Sequence, residues 1–251
     1  MIHVRREPEP PSLINNAANW TSELCEHWRA YYGSGEPGKP PRAKKSRYAG
    51  AEVKHALKRM FDGKCCYCEG KVNVVSHQHV EHYRPQSIYP RLAYVWSNLL
   101  LACEQCNSTY KGDRFQVGPH EHQVKPNKSA PCSLDDSDDG LLLNPCLDDP
   151  EDHFIYEFDD RREEHKVDVV LVCKTRRGEV SREICGLDRE SLVDDWREHI
   201  LDLQDTIRLY ELAYTSRDIQ KYRARLLQKM DASSKYSALT RAYISSRGID
   251  L

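Results

Sequence analysis

The segment HVEHYRP, residues 79–85, places Glu81 directly before His82. A neutral histidine can act as a general base near pH 7, and a carboxylate is a hard ligand for Mg²⁺ or Mn²⁺. Together the two side chains could activate a water molecule and hold a cation against a phosphate. His77 and His79 lie just before them in the chain, and we expect both to be surface or supporting groups.

Two CxxC pairs flank this segment. Cys65 and Cys68 lie upstream in KCCYCEG, and Cys103 and Cys106 lie downstream in ACEQCNSTYKG. Four thiolates in two such pairs are typical of a tetrahedral zinc site, which has no open coordination position, so we predict structural Zn²⁺. Cys66 is predicted to lie outside this site. The other cysteines lack a partner motif and are expected to be small core or surface residues: Cys25, Cys132, Cys146, Cys173 and Cys185.

Hydrophobic periodicity and turn residues predict the elements that position these side chains. VEHY is predicted on one strand of a ribbon, WSNLLLAC on the second strand, and CEQCNSTYKG at the start of a short helix. Strands are also predicted at HFIYEF and HKVDVVLVC. The segment at 33–45 is predicted to be a flexible basic linker, and 116–140 a polar acidic loop. Helices are predicted near 17–32, 49–62, from an N-cap at Asp188, 217–230 and 234–246.

Composition limits the classes of function. The chain has 251 residues and 4 tryptophans, enough for one large domain or two small ones. A formal net charge of -2 argues against a free-standing, high-affinity nucleic-acid binder. Because no long apolar run predicts a signal peptide or a membrane span, we expect a cytoplasmic protein. In that compartment its 10 cysteines are expected to stay mostly reduced.

The region around Glu81 and His82 resembles the HNH endonucleases, whose ββα-metal core places a histidine on a strand opposite a metal-binding residue on a helix. His82, Asn98 and Asn107 match the three positions of the family name. The sequence departs from the pattern twice, because Asn107 replaces the final histidine and Glu81 stands where many members have aspartate. Both substitutes offer an oxygen ligand, which favours Mg²⁺ or Mn²⁺ over Zn²⁺ or Ni²⁺ as the catalytic ion.

The resemblance and the chemistry of phosphodiester hydrolysis agree on the roles of these residues. His82 is predicted to be the general base, Asn98 to fix the loop near it, and Glu81 and Asn107 to hold the catalytic cation. Adjacent strand residues usually point to opposite faces, so Asn107 is the more secure ligand of the two. Two further side chains are predicted to bind phosphate: Arg84 and Lys111.

Additional motifs narrow the resemblance. CCYCEG, VEHYRPQS, YVWSNLLLACEQCN, LLLNPCLDDPEDHF and GLDRESL, within roughly residues 64–192, resemble the HNH subunit of Septu-type anti-phage systems, a family that includes effectors of certain retrons. The resemblance implies a complex with an ABC/SMC-like ATPase that restrains or releases the nuclease. The sequence has no Walker A loop, so the ATPase is expected to be a separate polypeptide. Asn144, Asp148 and His153 are expected to cap turns.

These observations predict an α+β protein with three segments. An N-terminal helical extension with the basic linker spans 1–47, a zinc-stapled ββα-metal core spans 48–140, and a mostly helical, partner-binding region spans 141–251. The expected function is metal-dependent hydrolysis of phosphodiester bonds, with DNA a better candidate than RNA. Two alternatives stay open at this point, a nuclease that acts on tRNA or other RNA and a catalytically inactive zinc-ribbon adaptor.

Overall fold

The computed structural model describes residues 1–35, 38–72, 79–118, 122–133, 140–159 and 167–251. Within those ranges the chain forms α-helices and two-stranded antiparallel ribbons. None of the helices found there combines the length and the apolar character needed to span a bilayer. His77 and the acidic run at 135–139 lie outside the described residues.

The helices and strands have the following bounds. The α-helices are α1 Pro11–Ser34, α2 Lys45–Tyr48, α3 Ala51–Met60, α4 Arg176–Cys185, α5 Glu190–Glu211, α6 Ser216–Met230 and α7 Ser237–Ser246. The strands are β1 His79–His82, β2 Leu99–Ala102, β3 Gln116–Val117, β4 His122–Gln123, β5 Phe154–Asp159 and β6 Asp168–Cys173. A π-helix spans Gln105–Lys111, and 3-10 turns span Pro90–Leu92, Trp96–Asn98 and Pro150–Asp152.

Local signals explain most of the differences from the predicted helices. α1 begins six residues earlier than predicted, at Pro11, because proline suits the first position of a helix. The predicted N-cap at Asp188 is wrong, since α5 begins after Arg189 without a side-chain cap. α4 was not predicted, although the Thr175 hydroxyl accepts a bond from Gly178 N and Gly186 ends the helix at φ 56°. A Cβ at Gly186 would meet the Tyr110 ring at 2.2 Å, so glycine is required there.

One buried core includes residues from all three predicted segments. Leu13 of α1, Leu57 of α3, Leu99 of β2, Trp196 of α5 and Leu239 of α7 belong to the same hydrophobic cluster. The three-segment division therefore stays a prediction, since no break in packing marks its boundaries.

The last helix, α7, is part of this core. Leu239, Tyr243 and Ile244 are buried, and the Ser237 hydroxyl donates to the buried Glu69 carboxylate at 2.9 Å. By contrast, α6 buries only Leu226 among the residues of its helix. The exposed surface of these C-terminal helices therefore lies mainly on α6 and the end of α5, while α7 is part of the core.

Cys25 and Cys132 correct one prediction about the cysteines. Their Sγ atoms form a disulfide that joins α1 to the segment at 122–133, across 107 residues of sequence. We predicted both to be unpaired because neither belongs to a local motif. A pairing over this distance depends on the tertiary fold, which brings the two Cα atoms to 6.0 Å.

Candidate active site and metal centre

The two CxxC pairs are brought together by the β1–β2 ribbon. The first pair occupies a turn in which Cys65 N donates to Gly70 O at 2.8 Å, and Cys66 N donates to Leu101 O of β2 at 2.8 Å. The second pair follows β2 directly, with Cys106 in the first turn of the π-helix. The backbone bond between Cys66 and β2 therefore holds one pair beside the other.

The four cysteines of these pairs form a compact and mostly buried group. The Sγ atoms of Cys65, Cys68, Cys103 and Cys106 all lie within 4.8 Å of one another, and those of Cys68 and Cys103 are 3.9 Å apart. Tetrahedral zinc with Zn–S bonds of about 2.3 Å requires sulfur atoms roughly 3.8 Å apart. The group therefore fits a metal ion of this kind, and the predicted grouping of the four cysteines is confirmed.

Arg189 contacts this group from the GLDRESL motif, and sequence reasoning did not identify it as part of the site. Its Nη1 donates to Cys106 Sγ at 3.5 Å and to Gly186 O at 2.8 Å, and the guanidinium lies over the Tyr110 ring at 5.8 Å. Four thiolates around a divalent ion carry a net charge of −2, so a cation at this position offsets part of it.

His82 is the last residue of β1 and its imidazole is held in one orientation. Its Nε2 lies 2.9 Å from the carbonyl oxygen of Ala93, which can only accept, so Nε2 carries the proton. Nδ1 is then unprotonated and lies 3.5 Å from Gln86 Nε2, and Tyr48 packs edge-on against the ring at 4.6 Å. Burial lowers the pKa of His82 to about 4. The ring is therefore neutral at pH 7 and presents an unprotonated nitrogen that can accept a proton.

Asn98 fixes the loop that follows β1. Its Oδ1 accepts from Arg84 N at 2.8 Å, and its Nδ2 donates to Arg84 O at 3.0 Å and to Leu92 O at 3.1 Å. The side chain is buried and satisfies backbone groups on both sides of the turn. The loop-fixing hydrogen bonds predicted for Asn98 are therefore present, and its contribution is to position the backbone next to His82.

Glu81 is buried in an ion pair with Lys111 of the π-helix. Lys111 Nζ lies 2.6 Å from Glu81 Oε1 and 3.0 Å from the carbonyl oxygen of His82, and the Tyr67 hydroxyl donates to Glu81 at 3.4 Å. Burial raises the pKa of the Glu81 carboxyl, and the Lys111 ammonium opposes that rise. Lys111 therefore balances the charge of Glu81 and fixes the end of β1.

A polar cleft of about 310 Å³ is lined by three of the predicted site residues, whereas Asn98 is not part of its lining. Glu81 and His82 both line it, although they are neighbours on a strand, and Asn107 of the π-helix lines it from the opposite element. The π-helix positions Asn107 through its wider turn, in which Gly112 N donates to Asn107 O at 2.6 Å. One cleft therefore holds a carboxylate, an amide and a basic imidazole.

The two residues predicted to bind phosphate are placed elsewhere. Lys111 has 1% of its side chain exposed because it is buried in the ion pair with Glu81. Arg84 is not among the residues that line the cleft, and its guanidinium lies over Tyr89 at 5.2 Å and Phe115 at 4.9 Å. Lys111 and Arg84 therefore make internal contacts, which do not fit the phosphate-binding role predicted for them from the sequence. The exposed cations in the cleft lining are instead from the basic linker: Arg42 and Lys45.

The NPCLDDPEDHF element caps turns, as predicted. Asn144 Oδ1 accepts from Cys146 N at 3.0 Å, and Asp148 Oδ2 accepts from Asn144 N at 2.8 Å. His153 Nδ1 lies 2.6 Å from the hydroxyl of Thr175, the residue that caps α4. Arg177 of α4 pairs with Asp148 at 2.6 Å. The element therefore joins the loop at 140–149 to α4 and has a structural role.

Comparisons with known proteins agree with this geometry. Residues 65–113, which include both CxxC pairs and the residues from β1 to the π-helix, match the model of the HNH endonuclease family. A Septu protein PtuB from Bacillus mycoides (strain KBAB4) is 33% identical over 221 residues, which cover 81% of this chain and 68% of that protein. A Septu protein PtuB from Bacillus thuringiensis is 30% identical over 61% of this chain and 45% of its own length.

A third relative carries a different name. The Septu protein PtuA from Bacillus mycoides (strain KBAB4) is 24% identical over 75% of this chain and 26% of its own length. The match to the HNH model and the 33% identity to the Bacillus mycoides PtuB, over most of both chains, show which family this chain belongs to. The protein belongs to the HNH subunits of Septu defence systems.

Proposed function

We propose that the protein is a metal-dependent endonuclease that hydrolyses phosphodiester bonds of DNA, as the effector of a two-component anti-phage complex with an ABC/SMC-like ATPase. The observation that carries the proposal is the orientation of His82. Its Nε2–H is bonded to Ala93 O, which leaves Nδ1 as the basic nitrogen in a cleft shared with Glu81 and Asn107.

In the proposed reaction, His82 Nδ1 removes a proton from the water that attacks phosphorus. Gln86 Nε2, 3.5 Å from Nδ1, is too distant for a strong hydrogen bond and can give way to that water. Asn98 keeps the following loop in place, and Lys111 holds the His82 carbonyl. Asn98 and Lys111 therefore hold the backbone around His82, and the bond to Ala93 O fixes the orientation of its imidazole.

A catalytic cation, Mg²⁺ or Mn²⁺, would be held by Glu81 and Asn107. Their carboxylate and amide oxygens suit a hard ion, and both line the cleft. When bound, such an ion polarises the phosphate and stabilises the leaving oxygen. In the structure Lys111 supplies the positive charge next to Glu81 at 2.6 Å, so the carboxylate is kept in place before an ion arrives.

The four-cysteine group would hold Zn²⁺ in a structural role. The buried sulfur atoms match the spacing of a tetrahedral site, and all four positions of the ion would be filled by protein. The ion would join the turn before β1 to the start of the π-helix. It would therefore hold Glu81 and His82 on one element and Asn107 on the other.

Replacing Arg189 with alanine is expected to release the structural metal faster without removing a ligand. The guanidinium offsets thiolate charge through its contact with Cys106 Sγ, and loss of such outer partners typically weakens metal binding ~10–100-fold. The measurement is the rate of zinc transfer to a chromophoric chelator. Arg182→Ala is the matched control, because Arg182 pairs with Asp188 at 3.6 Å and, within the part of the chain that the structure describes, forms no hydrogen bond with the four-cysteine group. Equal release rates for both variants and the wild type would contradict the role of Arg189.

The partner surface is proposed to lie at the end of α5 and the start of α6. Leu212 is 67% exposed and Tyr214 is 92% exposed, at the junction of the two helices. The name of the PtuA relative supports a second Septu protein as the partner. Large apolar side chains grouped at the surface are common at protein interfaces.

Combining Leu212→Asp with Tyr214→Ala is expected to weaken binding of the ATPase subunit at least ~10-fold, because both apolar contacts are lost. Co-purification and titration calorimetry measure the effect. Leu147→Asp is the matched control, since Leu147 is 79% exposed in the turn at 144–149. Binding that survives the double substitution, or that Leu147→Asp abolishes equally, would place the interface elsewhere.

A cleavage assay tests the proposed function. The protein, co-expressed with its ATPase partner, is incubated with DNA and with tRNA in Mg²⁺ and in EDTA. Mg²⁺-dependent cleavage of DNA is expected. Cleavage of tRNA alone would keep the hydrolytic chemistry and replace DNA with RNA as the substrate.

A further inference from the structure

Part of the basic linker is held by hydrogen bonds to α1 and to the segment between β1 and β2. We name residues 38–45 the strap. Three hydrogen bonds hold its backbone. The Tyr31 hydroxyl donates to Gly38 O at 3.1 Å, and Gln86 Oε1 accepts from Ala43 N at 2.8 Å. The Tyr94 hydroxyl accepts from Lys44 N at 2.9 Å. The predicted flexibility of this linker is therefore wrong for the strap, which forms part of the cleft lining.

The cationic side chains of the strap and of α2 form two groups. Lys44 and Arg47 both pair with Glu23 of α1 at 2.6 Å, and these bonds lower the pKa of the Glu23 carboxyl to about 2. Arg42 and Lys45 are exposed and line the cleft with His82. Among the described residues, neither Arg42 nor Lys45 forms an ion pair with a carboxylate. One pair of cations thus stabilises the contact with α1, and the other faces the catalytic cleft.

Gln86 connects the strap to the catalytic base. Its Oε1 holds the strap at Ala43 N, and its Nε2 lies 3.5 Å from His82 Nδ1. A single amide therefore contacts both the backbone next to Arg42 and the ring that would activate water. Gln86 therefore keeps the strap backbone next to Arg42 close to the His82 ring.

We propose that Arg42 and Lys45 bind backbone phosphates that flank the scissile bond, so that the strap holds the nucleic acid across the cleft. The inference rests on the proposed endonuclease function. Phosphate recognition needs exposed cations without an internal partner, and Arg can bind a phosphate through two parallel hydrogen bonds. Lys111 and Arg84 do not meet that need, because both are held in internal contacts.

The test measures binding without cleavage as a function of salt. The His82→Ala protein in complex with its ATPase partner is titrated onto a DNA duplex and onto an RNA of the same sequence. Each lost phosphate contact lowers the slope of log Kobs against log salt by about 1. Arg42→Ala with Lys45→Ala is therefore expected to lower that slope by about 2. The loss should be the same for unrelated sequences, because phosphates carry no sequence information.

Two neighbouring lysines provide a matched control. Lys45→Ala is expected to lower the slope by about 1. Lys44→Ala removes the same charge, but the slope should stay close to that of the parent complex because Lys44 is paired with Glu23. Both variants are expected to stay folded, since each side chain is exposed. Lys44→Ala should lower the melting temperature slightly, because it removes a surface ion pair with Glu23.

The possible outcomes separate the two proposals. If the wild-type complex cleaves nucleic acid but Arg42→Ala and Lys45→Ala leave affinity and slope unchanged, the strap inference is wrong and the nuclease stands. If the variants change the slope as expected but the wild type never cleaves, the strap binds phosphate and the proposed activity is wrong. Absence of salt-dependent binding to both nucleic acids by the parent complex overturns both.

Discussion

Replacing His82 with alanine is expected to slow phosphodiester cleavage ~10²–10⁴-fold, the range typical of a lost general base. The unprotonated Nδ1 of His82 is removed. His79 also lines the cleft, but its Nδ1 lies 3.2 Å from the Ser108 hydroxyl, and it is not held against Ala93 O as His82 is. Metal content and partner binding should stay unchanged, because the imidazole is not part of the four-cysteine group. Some loss of stability is expected, because the buried ring bonds to Ala93 O, and the melting temperature checks that the variant stays folded. Single-turnover rates of the assembled complex measure the effect.

Asn107→Ala is the control that separates the base from the cation. Activity should fall here because an oxygen ligand is lost, and a high concentration of Mg²⁺ or Mn²⁺ should restore part of it. The same ions should not restore His82→Ala, since the water would still lack its base. Restoration of both variants to the same extent would show that His82 is not the base.

Replacing any one cysteine of the metal group is expected to destabilise the whole fold. Metal binding contributes ~10 kcal/mol or more to folding in isolated zinc peptides, and the group lies in the same core as α3, β2 and α5. Cys106→Ser should therefore lower the melting temperature strongly and reduce bound zinc from about one ion per chain. Thermal denaturation and elemental analysis of the purified protein measure both quantities.

Cys66→Ala is the matched control for this loss. Cys66 is buried between two ligand positions but lies outside the group of four sulfur atoms. Its replacement should keep the zinc and cost much less stability than a ligand substitution. Folded, soluble wild-type protein that contains no zinc, or a Cys106→Ser variant as stable as Cys66→Ala, would refute the structural metal.

The parts of the site that sequence reasoning identified depend on local spacing. Two CxxC pairs with a two-stranded ribbon between them place four sulfur atoms together, and the ribbon is short enough for alternation and turn residues to predict it. Asn98 lies next to β2, so its bonds to the loop after β1 follow from the antiparallel pairing of His82 with Leu99.

The parts that it missed depend on contacts between distant segments. Lys111 is chemically suited to phosphate, and only the folded ribbon shows that its ammonium is 2.6 Å from Glu81. Arg189 contacts Cys106 across 83 residues of sequence, and the Cys25–Cys132 disulfide spans 107. The strap looked flexible because it belongs to a basic linker that contains several glycines and prolines, whereas Gln86 and Tyr94 supply the bonds that hold it.

The adjacency of Glu81 and His82 has a partial explanation in these contacts. Lys111 bonds to the Glu81 side chain and to the main-chain oxygen of His82, while the His82 ring turns to Ala93 O. The two side chains can therefore point in different directions, as strand alternation requires, and still line one cleft at the end of β1. No bulge in the β1–β2 pairing is needed, since the register is continuous from His79 to His82.

The most direct test of the account is single-turnover cleavage by the complex of this protein with its ATPase partner, measured for wild type and His82→Ala in Mg²⁺ and in EDTA. We expect the wild type to cleave in Mg²⁺ and not in EDTA. The cleavage rate of His82→Ala in Mg²⁺ should be ~10²–10⁴-fold lower than that of the wild type. Equal cleavage by both proteins, or a wild-type complex that protects cells from phage but cuts neither DNA nor tRNA, would contradict it.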